Sequence, residues 1–309
     1  MPSNIKLLSD LINMEDAKSV CEEVRYINSL MYAKTGCKLF DEVFKKIYYD
    51  IVDLFRGKWN DYKSCNTGYH DLMHTTDVLL CFARLLHGAV IKKVQISEET
   101  AMLGLISALM HDTGYIQKKD DGQGTGGKYT LSHVERSVEF MKDYLSSIGC
   151  PLGYVQKCSD IIMATSLSAK VEEIKFESEE IANVAKMLAA ADLVGQMADR
   201  VYLEKLLYLY KEFEEGEVAG FTDELDLLKK TVGFFDFAKK RISDKLDNVD
   251  KYLKYHFKAR WQIKENLYEV AMKNNLKYLN KIINDSEDNI LNYLKRGGIV
   301  QHWHQIRSA

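Results

Sequence analysis

Proline is nearly missing from this 309-residue chain, which has only Pro2 and Pro151. Proline breaks the helical hydrogen-bond ladder, so a chain this poor in it favours long helices. An excess of one charge is also missing, because 42 Lys and Arg stand against 45 Asp and Glu, a formal net charge of −3. That balance excludes bulk electrostatic attraction as a basis for binding nucleic acid or a membrane surface. No apolar run is long enough to span a bilayer, the longest largely apolar stretch being residues 103–110. The six cysteines form no Cys-x-x-Cys pair, and Asp10, Glu15 and Asp16 interrupt any apolar secretory leader. The thiols are expected to be reduced, buried small hydrophobes of a cytoplasmic protein.

What is present is a globular composition, 46% hydrophobic and 28% charged, which rules out disorder and low complexity. Apolar spacing is helical almost everywhere. One stripe runs through Leu7, Leu8, Leu11 and Ile12, a second through Phe40, Val43, Phe44, Ile47, Ile51, Leu54 and Phe55, and a third through Val78, Leu79, Phe82, Leu85 and Leu86. Ser97 and Ser178 each precede Glu-Glu, a capping residue followed by acids that suit the helix dipole. No segment alternates long enough to argue a sheet. Residues 117–130, charged and then glycine-rich, read as a loop, either a mobile flap beside a site or a tolerated surface insertion. Residues 222–296 suggest several long helices, ended by Gly297-Gly298. With no repeat and no linker, the expectation is an all-α, compact multi-helix domain over residues 1–309. Within it, 1–60 form an N-terminal helical cap, 61–260 the catalytic core and 261–309 the C-terminal helices.

Three groups of residues carry chemistry. His70 and His74 stand four apart, so a helix places both imidazoles on one face, with Asp77 on nearly the same side. A carboxylate there can orient a histidine by accepting its second N–H. Alone, the pair is either a metal site or simply a pair of helical histidines. His111-Asp112 follows the apolar run at the end of a buried helix, where a cation would satisfy both side chains unless they merely meet water. Gly114 would permit a turn that frees the Asp to face inward. Asp192 sits in Ala189-Ala190-Ala191-Asp192-Leu193, a small-residue helical run where an unpaired acid is costly. It serves either a metal or a buried cationic side chain.

Taken in order, these residues resemble the HD superfamily of metal-dependent phosphohydrolases, and more closely the catalytic domain of class I cyclic nucleotide phosphodiesterases. Tyr69-His70-Asp71-Leu72-Met73-His74-Thr75-Thr76-Asp77-Val78 is similar to the family's Tyr-His-Asn-x-x-His-Ala-x-Asp-Val signature. Ala108-Leu109-Met110-His111-Asp112, Ala191-Asp192-Leu193, Glu212-Phe213-Glu214-Glu215-Gly216 and Thr231-Val232-Gly233-Phe234-Phe235-Asp236-Phe237 resemble further family segments. The resemblance runs from about Trp59 to about Tyr255. It implies a two-metal site, zinc with magnesium or manganese. His74, His111, Asp112 and Asp192 would hold the first ion, Asp112 would bridge to the second, and His70 would be the general acid. It also implies a small-molecule phosphoester substrate, a nucleotide in the family, with no nucleic-acid or membrane partner; the oligomeric state is open. The chemistry is coherent on its own terms. Two divalent cations, two carboxylates and one hydroxide sum to about +1, which suits a phosphodiester anion, and the cations acidify the attacking water. An imidazole with a pKa of about 6.5 suits the protonation of the leaving alkoxide.

The pattern departs from the family in ways that bear on substrate. Thr231 stands where a glutamine amide reads the purine, while Phe234 matches the aromatic that stacks on the base. Tyr115 replaces a further histidine, Asp71 an asparagine, Thr130 a glutamate and Ser166 an aspartate. His133 matches the last position of an Asn-His-His triplet and is expected to contact phosphate or the second metal's waters, and Glu212 is the match for the glutamate that orients the acid histidine. The leading expectation is therefore a metal-dependent phosphohydrolase like the 3′,5′-cyclic nucleotide phosphodiesterases, in which a metal-activated hydroxide attacks a phosphodiester with His70 as general acid. The alternatives are an HD-type nucleotidase or phosphomonoesterase, and a non-catalytic ligand-binding module that retains the fold. Of the other histidines, His87 and His256 read as structural, and His302 and His304 face apart on a helix.

Overall fold

A computed structural model describes residues 7–32, 38–285 and 290–307. Its helices are α1 (Ala17–Met31), α2 (Lys38–Phe55), α3 (Leu72–Ile91), α4 (Glu98–Met110), α5 (His133–Ser147), α6 (Leu152–Met163), α7 (Glu179–Ala198), α8 (Tyr202–Glu215), α9 (Glu224–Lys245), α10 (Leu253–Trp261), α11 (Leu267–Asp285) and α12 (Ile299–Arg307), joined by short 3₁₀ turns. The fold is all-α. Among the described residues no strand forms, and an isolated bridge joins Tyr62 to Lys118. No helix among them is long and apolar enough to cross a membrane.

Helix starts follow local chemistry. The Ser97 hydroxyl accepts from the Thr100 N–H at 3.2 Å and the Ser178 hydroxyl from the Ile181 N–H at 3.2 Å, so both capping serines act as their sequence context predicts. Asp71 caps α3 by accepting from the His74 N–H at 2.8 Å. That bond fixes the backbone of a candidate metal ligand at the first turn of its helix.

Two helices lie inside the others. Every residue of α3 from His74 to Ala89 is buried, as is every residue of α4 from Thr100 to Met110. Helices apolar on all sides must be enclosed. The most extensive packing is α3 on α7, and α1, α4 and α10 also lie against α3. The small residues Ala189, Ala190 and Ala191 are buried in α7, which carries Asp192. Helix α2 packs on α4. One hydrophobic cluster runs from Val20 in α1 to Trp303 in α12.

Cys21, Cys65, Cys81, Cys150 and Cys158 are all free thiols, and Cys37 lies outside the described residues. Burial pushes the Cys158 thiol up to about 12, so it stays protonated and unreactive. His87 of α3 and His256 of α10 meet each other, Nδ1 to Nδ1 at 2.8 Å, in the core. Burial holds both below the usual imidazole range, His87 at about 4, so the contact is between a donor and an acceptor of two neutral rings. Beside them, fully buried Arg84 faces Phe257, Trp261 and Tyr268 and donates to the Tyr268 hydroxyl at 2.8 Å.

One local expectation is narrowed and one is corrected. The glycine-rich loop, read as either a mobile flap or a surface insertion, is anchored by hydrogen bonds. Glu215 of α8 accepts from both the N–H and the hydroxyl of Thr125, Asn66 accepts from the Gly126 N–H at 2.9 Å, and Lys63 donates to the Asp121 carbonyl at 2.7 Å. Gly297 and Gly298 do not end the last helix. They take left-handed φ values of 65° and 66° within the short 3₁₀ turn Arg296–Gly298, and α12 follows. Residues 286–289 of that segment, and the side chain of His304, lie outside the description.

Candidate metal centre

Donors from three helices converge. His74 comes from the first turn of α3, His111 and Asp112 from just beyond α4, and Asp192 from the middle of α7. His74 Nε2 stands 3.1 Å from Asp112 Oδ2 and 3.3 Å from Asp192 Oδ1. His111 Nε2 stands 3.2 Å and 3.7 Å from the same two oxygens. His74, His111 and Asp112 each offer a donor atom within 4.8 Å of the others. Donors bound to one cation at about 2.1 Å sit about 3.0 Å apart at right angles, or about 3.4 Å apart in a tetrahedron. The observed spacings fit that set.

Hydrogen bonding gives an independent test. His74 Nε2, His111 Nε2 and Asp112 Oδ2 are buried and hydrogen-bonded to nothing, despite their proximity. Buried polar groups are almost always paired. Three orphans facing one another are what lone pairs converging on a shared third atom leave. The His111 Nδ1–H donates to the Ala108 carbonyl at 2.8 Å, which reserves Nε2 as the free donor atom. These residues therefore fit a divalent cation.

Electrostatics agree. Burial pulls His74 and His111 down, but Asp112 and Asp192 more than reverse this, lifting His74 to about 9 and His111 well above the usual range. Burial opposes ionisation of the two acids, yet His111 and His74 hold both Asp112 and Asp192 below the normal carboxylate range. A cation bound there would compete with protons for these ligands.

A second group flanks the first. His70 Nδ1 lies 2.6 Å from Glu212 Oε2, and the other oxygen of Glu212 accepts from the Tyr69 N–H at 2.7 Å. Glu212 is buried, whereas His70 is partly exposed to the cavity. The Tyr115 ring stacks on His70 at 4.2 Å between centroids and on His133 at 4.6 Å. His133 Nδ1–H donates to the Thr130 carbonyl at 2.7 Å, and its Nε2 stands 3.8 Å from Asp112 Oδ1. Asp112 thus faces the two-histidine cluster with Oδ2 and His133 with Oδ1, the disposition a bridging carboxylate needs.

Gly114 works differently from its expected role. Its φ is not positive, so no left-handed turn is involved. A Cβ there would meet the His133 carbonyl oxygen at 2.0 Å, and the Gly114 N–H donates to the Ser137 hydroxyl at 2.9 Å. The missing side chain lets the start of α5 close on Asp112.

The sequence model of a family described as Npun_R2479-like matches residues 119–275, just over half of the chain. The chain belongs to the Npun_R2479-like family. No curated protein matches it. The segment that defines this Npun_R2479-like chain carries His133, Asp192, Glu212, Thr231 and Phe234, whereas His70, His74, His111 and Asp112 precede it.

A cavity of about 700 Å³ opens beside the histidine–aspartate cluster of this Npun_R2479-like protein, lined by His70, Asp112, His133 and Asp192. Thr231 and Phe234 of α9 line it too, so all the residues singled out for substrate contact meet one space. The Thr231 hydroxyl is turned away to its own helix, donating to the Leu227 carbonyl at 2.8 Å. Asp77 is buried beside His74 around a separate cavity of about 10 Å³, room for a single water. Burial pushes the Asp77 carboxyl well above its ordinary range, and its Oδ1 has no partner.

Sequence reading missed three supporting residues. Lys205 of α8 is buried in the same small cavity, with Nζ 3.1 Å from Asp199 and 3.9 Å from the helix-capping Asp71. Its signal was a lysine inside the run Tyr202–Leu207, where no polar face exists. Gln196 accepts from the Tyr69 hydroxyl and donates to the Asp192 carbonyl at 3.0 Å, tying α7 to the loop that carries His70. Arg241 donates to the carbonyls of Ser166 and Leu167 at 2.7 and 3.0 Å, ordering a stretch of the cavity wall. Nothing in the local sequence marks the last two.

Proposed function

We propose that the protein is a two-metal phosphohydrolase of the HD and cyclic nucleotide phosphodiesterase type, cleaving a phosphoric ester bound in the large cavity. The observation that carries this reading is the set of orphaned donors on His74, His111 and Asp112, with Asp192 beside them. His74, His111, Asp112 and Asp192 would hold one ion, zinc by donor type, and Asp112 with His133 would face a second, magnesium or manganese. Such ions, when bound, supply positive charge to the phosphoryl oxygens and acidify water for attack on phosphorus.

The chain's own residues do the rest. Glu212 accepts from His70 Nδ1–H, so the second proton of the imidazolium rides on Nε2. As the water oxygen bonds to phosphorus, the ester P–O bond breaks and the His70 Nε2 proton passes to the departing alkoxide oxygen. The products are the shortened phosphate and an alcohol. Tyr115 fixes the plane of the His70 ring by stacking.

The test compares two variants. Asp192→Ala should remove bound metal and hydrolysis of cyclic AMP, cyclic GMP and bis(p-nitrophenyl) phosphate together. His70→Ala should keep the metal and lose about 10²–10⁴-fold in turnover of an alkoxide ester. Full activity in Asp192→Ala would reject the site. Metal binding with no turnover of any diester or nucleoside monophosphate by the wild type would leave a ligand-binding module.

A further inference from the structure

Polarity in the large cavity is one-sided. At the metal end stand His70, His133, the unpartnered Oδ2 of Asp112 and the hydroxyl of Tyr115, which is buried and has no hydrogen-bond partner. The far end is lined by Leu209, Phe213, Val218, Phe221, Leu227 and Phe234. Several polar side chains that line the cavity spend hydrogen bonds on neighbours, although Glu135 lines it too and Lys230 keeps a third N–H. Thr231 and Thr165 donate to carbonyls of their own segments, at 2.8 Å each. Ser166 and Ser168 bond each other at 2.9 Å. Lys230 donates to the Gly220 carbonyl and to Asp226, at 2.7 Å each. Both ends of the Gln196 amide are taken, by the Tyr69 hydroxyl and the Asp192 carbonyl.

Reading a nucleobase needs a free donor and acceptor pair aimed at its edge, and a site that discriminates through such bonds leaves them open for the ligand. Here the Thr231 hydroxyl, on the cavity wall, spends its only donor on its own helix. A volume of about 700 Å³ belongs to pockets that bury a whole small molecule, far more than a phosphoryl group fills. The rest of that space is apolar. We infer that the ligand is a phosphate ester of an apolar alcohol, aliphatic or aromatic, with its phosphoryl group at the histidine–aspartate end and its hydrocarbon among the Phe and Leu side chains. The inference rests on the phosphoester reading of the metal end and narrows its substrate class away from nucleotides.

Calorimetric titration of the manganese-loaded protein with methyl-, butyl- and octylphosphonate reads the cavity without any turnover. The dissociation constant should fall about three- to fourfold per added methylene until the cavity is filled. Phe234→Ala, at a partly exposed position, should flatten that slope, and 5′-AMP and 5′-UMP should bind within about threefold of each other because the affinity comes from apolar contact. A parallel assay follows hydrolysis of p-nitrophenyl octyl phosphate. A flat phosphonate series, or a preference for one nucleotide above about thirtyfold, overturns the inference even if the ester is hydrolysed. A sloped series with no hydrolysis keeps the ligand class and removes the hydrolase reading instead.

Discussion

Replacing Glu212 with glutamine changes one atom type at a buried position, and its effect can be worked out from two distances. The carboxylate accepts twice, from His70 Nδ1 at 2.6 Å and from the Tyr69 N–H at 2.7 Å. A glutamine amide has one acceptor and one donor group. If its oxygen stays with Tyr69, its NH₂ meets Nδ1, which must then accept. The ring becomes a neutral tautomer with its proton on Nε2, and the imidazolium loses its counter-charge. A hydrogen bond to a charged group contributes about 1.5–3 kcal/mol, or about 10- to 150-fold in rate. That loss is confined to reactions that need the acid. The assay therefore compares two diesters on the metal-loaded variant. Turnover of an alkyl ester, whose alkoxide must be protonated, should fall by that factor. Turnover of a p-nitrophenyl ester, whose phenolate departs unprotonated, should change by less than about threefold. Bound metal should be unchanged, since Glu212 touches none of the four donors. Equal losses on both esters would refute the role assigned to the His70–Glu212 pair.

Gly114→Ala should cost about 1–3 kcal/mol, because its Cβ would overlap the His133 carbonyl oxygen at 2.0 Å and force α5 outward. Thermal melting reads the cost, and an unchanged melting temperature would contradict the packing argument. In chelated protein, burial pulls His74 down but Asp112 and Asp192 hold it at about 9, above its unfolded value of about 6.5. Its contribution to stability is therefore complete below about pH 6.5 and is lost as the pH rises towards about 9. Metal affinity should climb over that interval, about tenfold per pH unit for each proton displaced. Melting curves and metal titrations between pH 6 and 9 check both directions, and an affinity that is flat with pH would rule out proton displacement.

Much of the site was legible because its donors break local patterns. His70 and His74 stand four apart, although His70 lies in the loop before α3 and not on its face as the spacing predicts, His111-Asp112 ends an apolar run, and Asp192 interrupts a string of alanines. Each anomaly is visible within a few residues, and burial turns each into a demand for a partner. What stayed hidden depends on distant contacts. The tie between Glu215 and the loop at Thr125 joins residues 90 apart in sequence, so local sequence left open whether the glycine-rich stretch is a flap or a surface insertion. The stacking of Tyr115 between His70 and His133 follows from how the turn after α4 packs on α5 beside the loop that carries His70, which no periodicity encodes. Thr231 could be placed at the cavity, but the turn of its hydroxyl back to Leu227 is a rotamer choice that composition does not reveal.

The central claim is that four side chains from α3, the end of α4 and α7 share one cation. Anomalous diffraction at the zinc edge from crystals soaked in zinc tests it most directly. The account predicts a single strong peak about 2.0–2.2 Å from His74 Nε2, His111 Nε2, Asp112 and Asp192. Zinc found only elsewhere, with those imidazoles hydrogen-bonded to the two carboxylates instead, would contradict it.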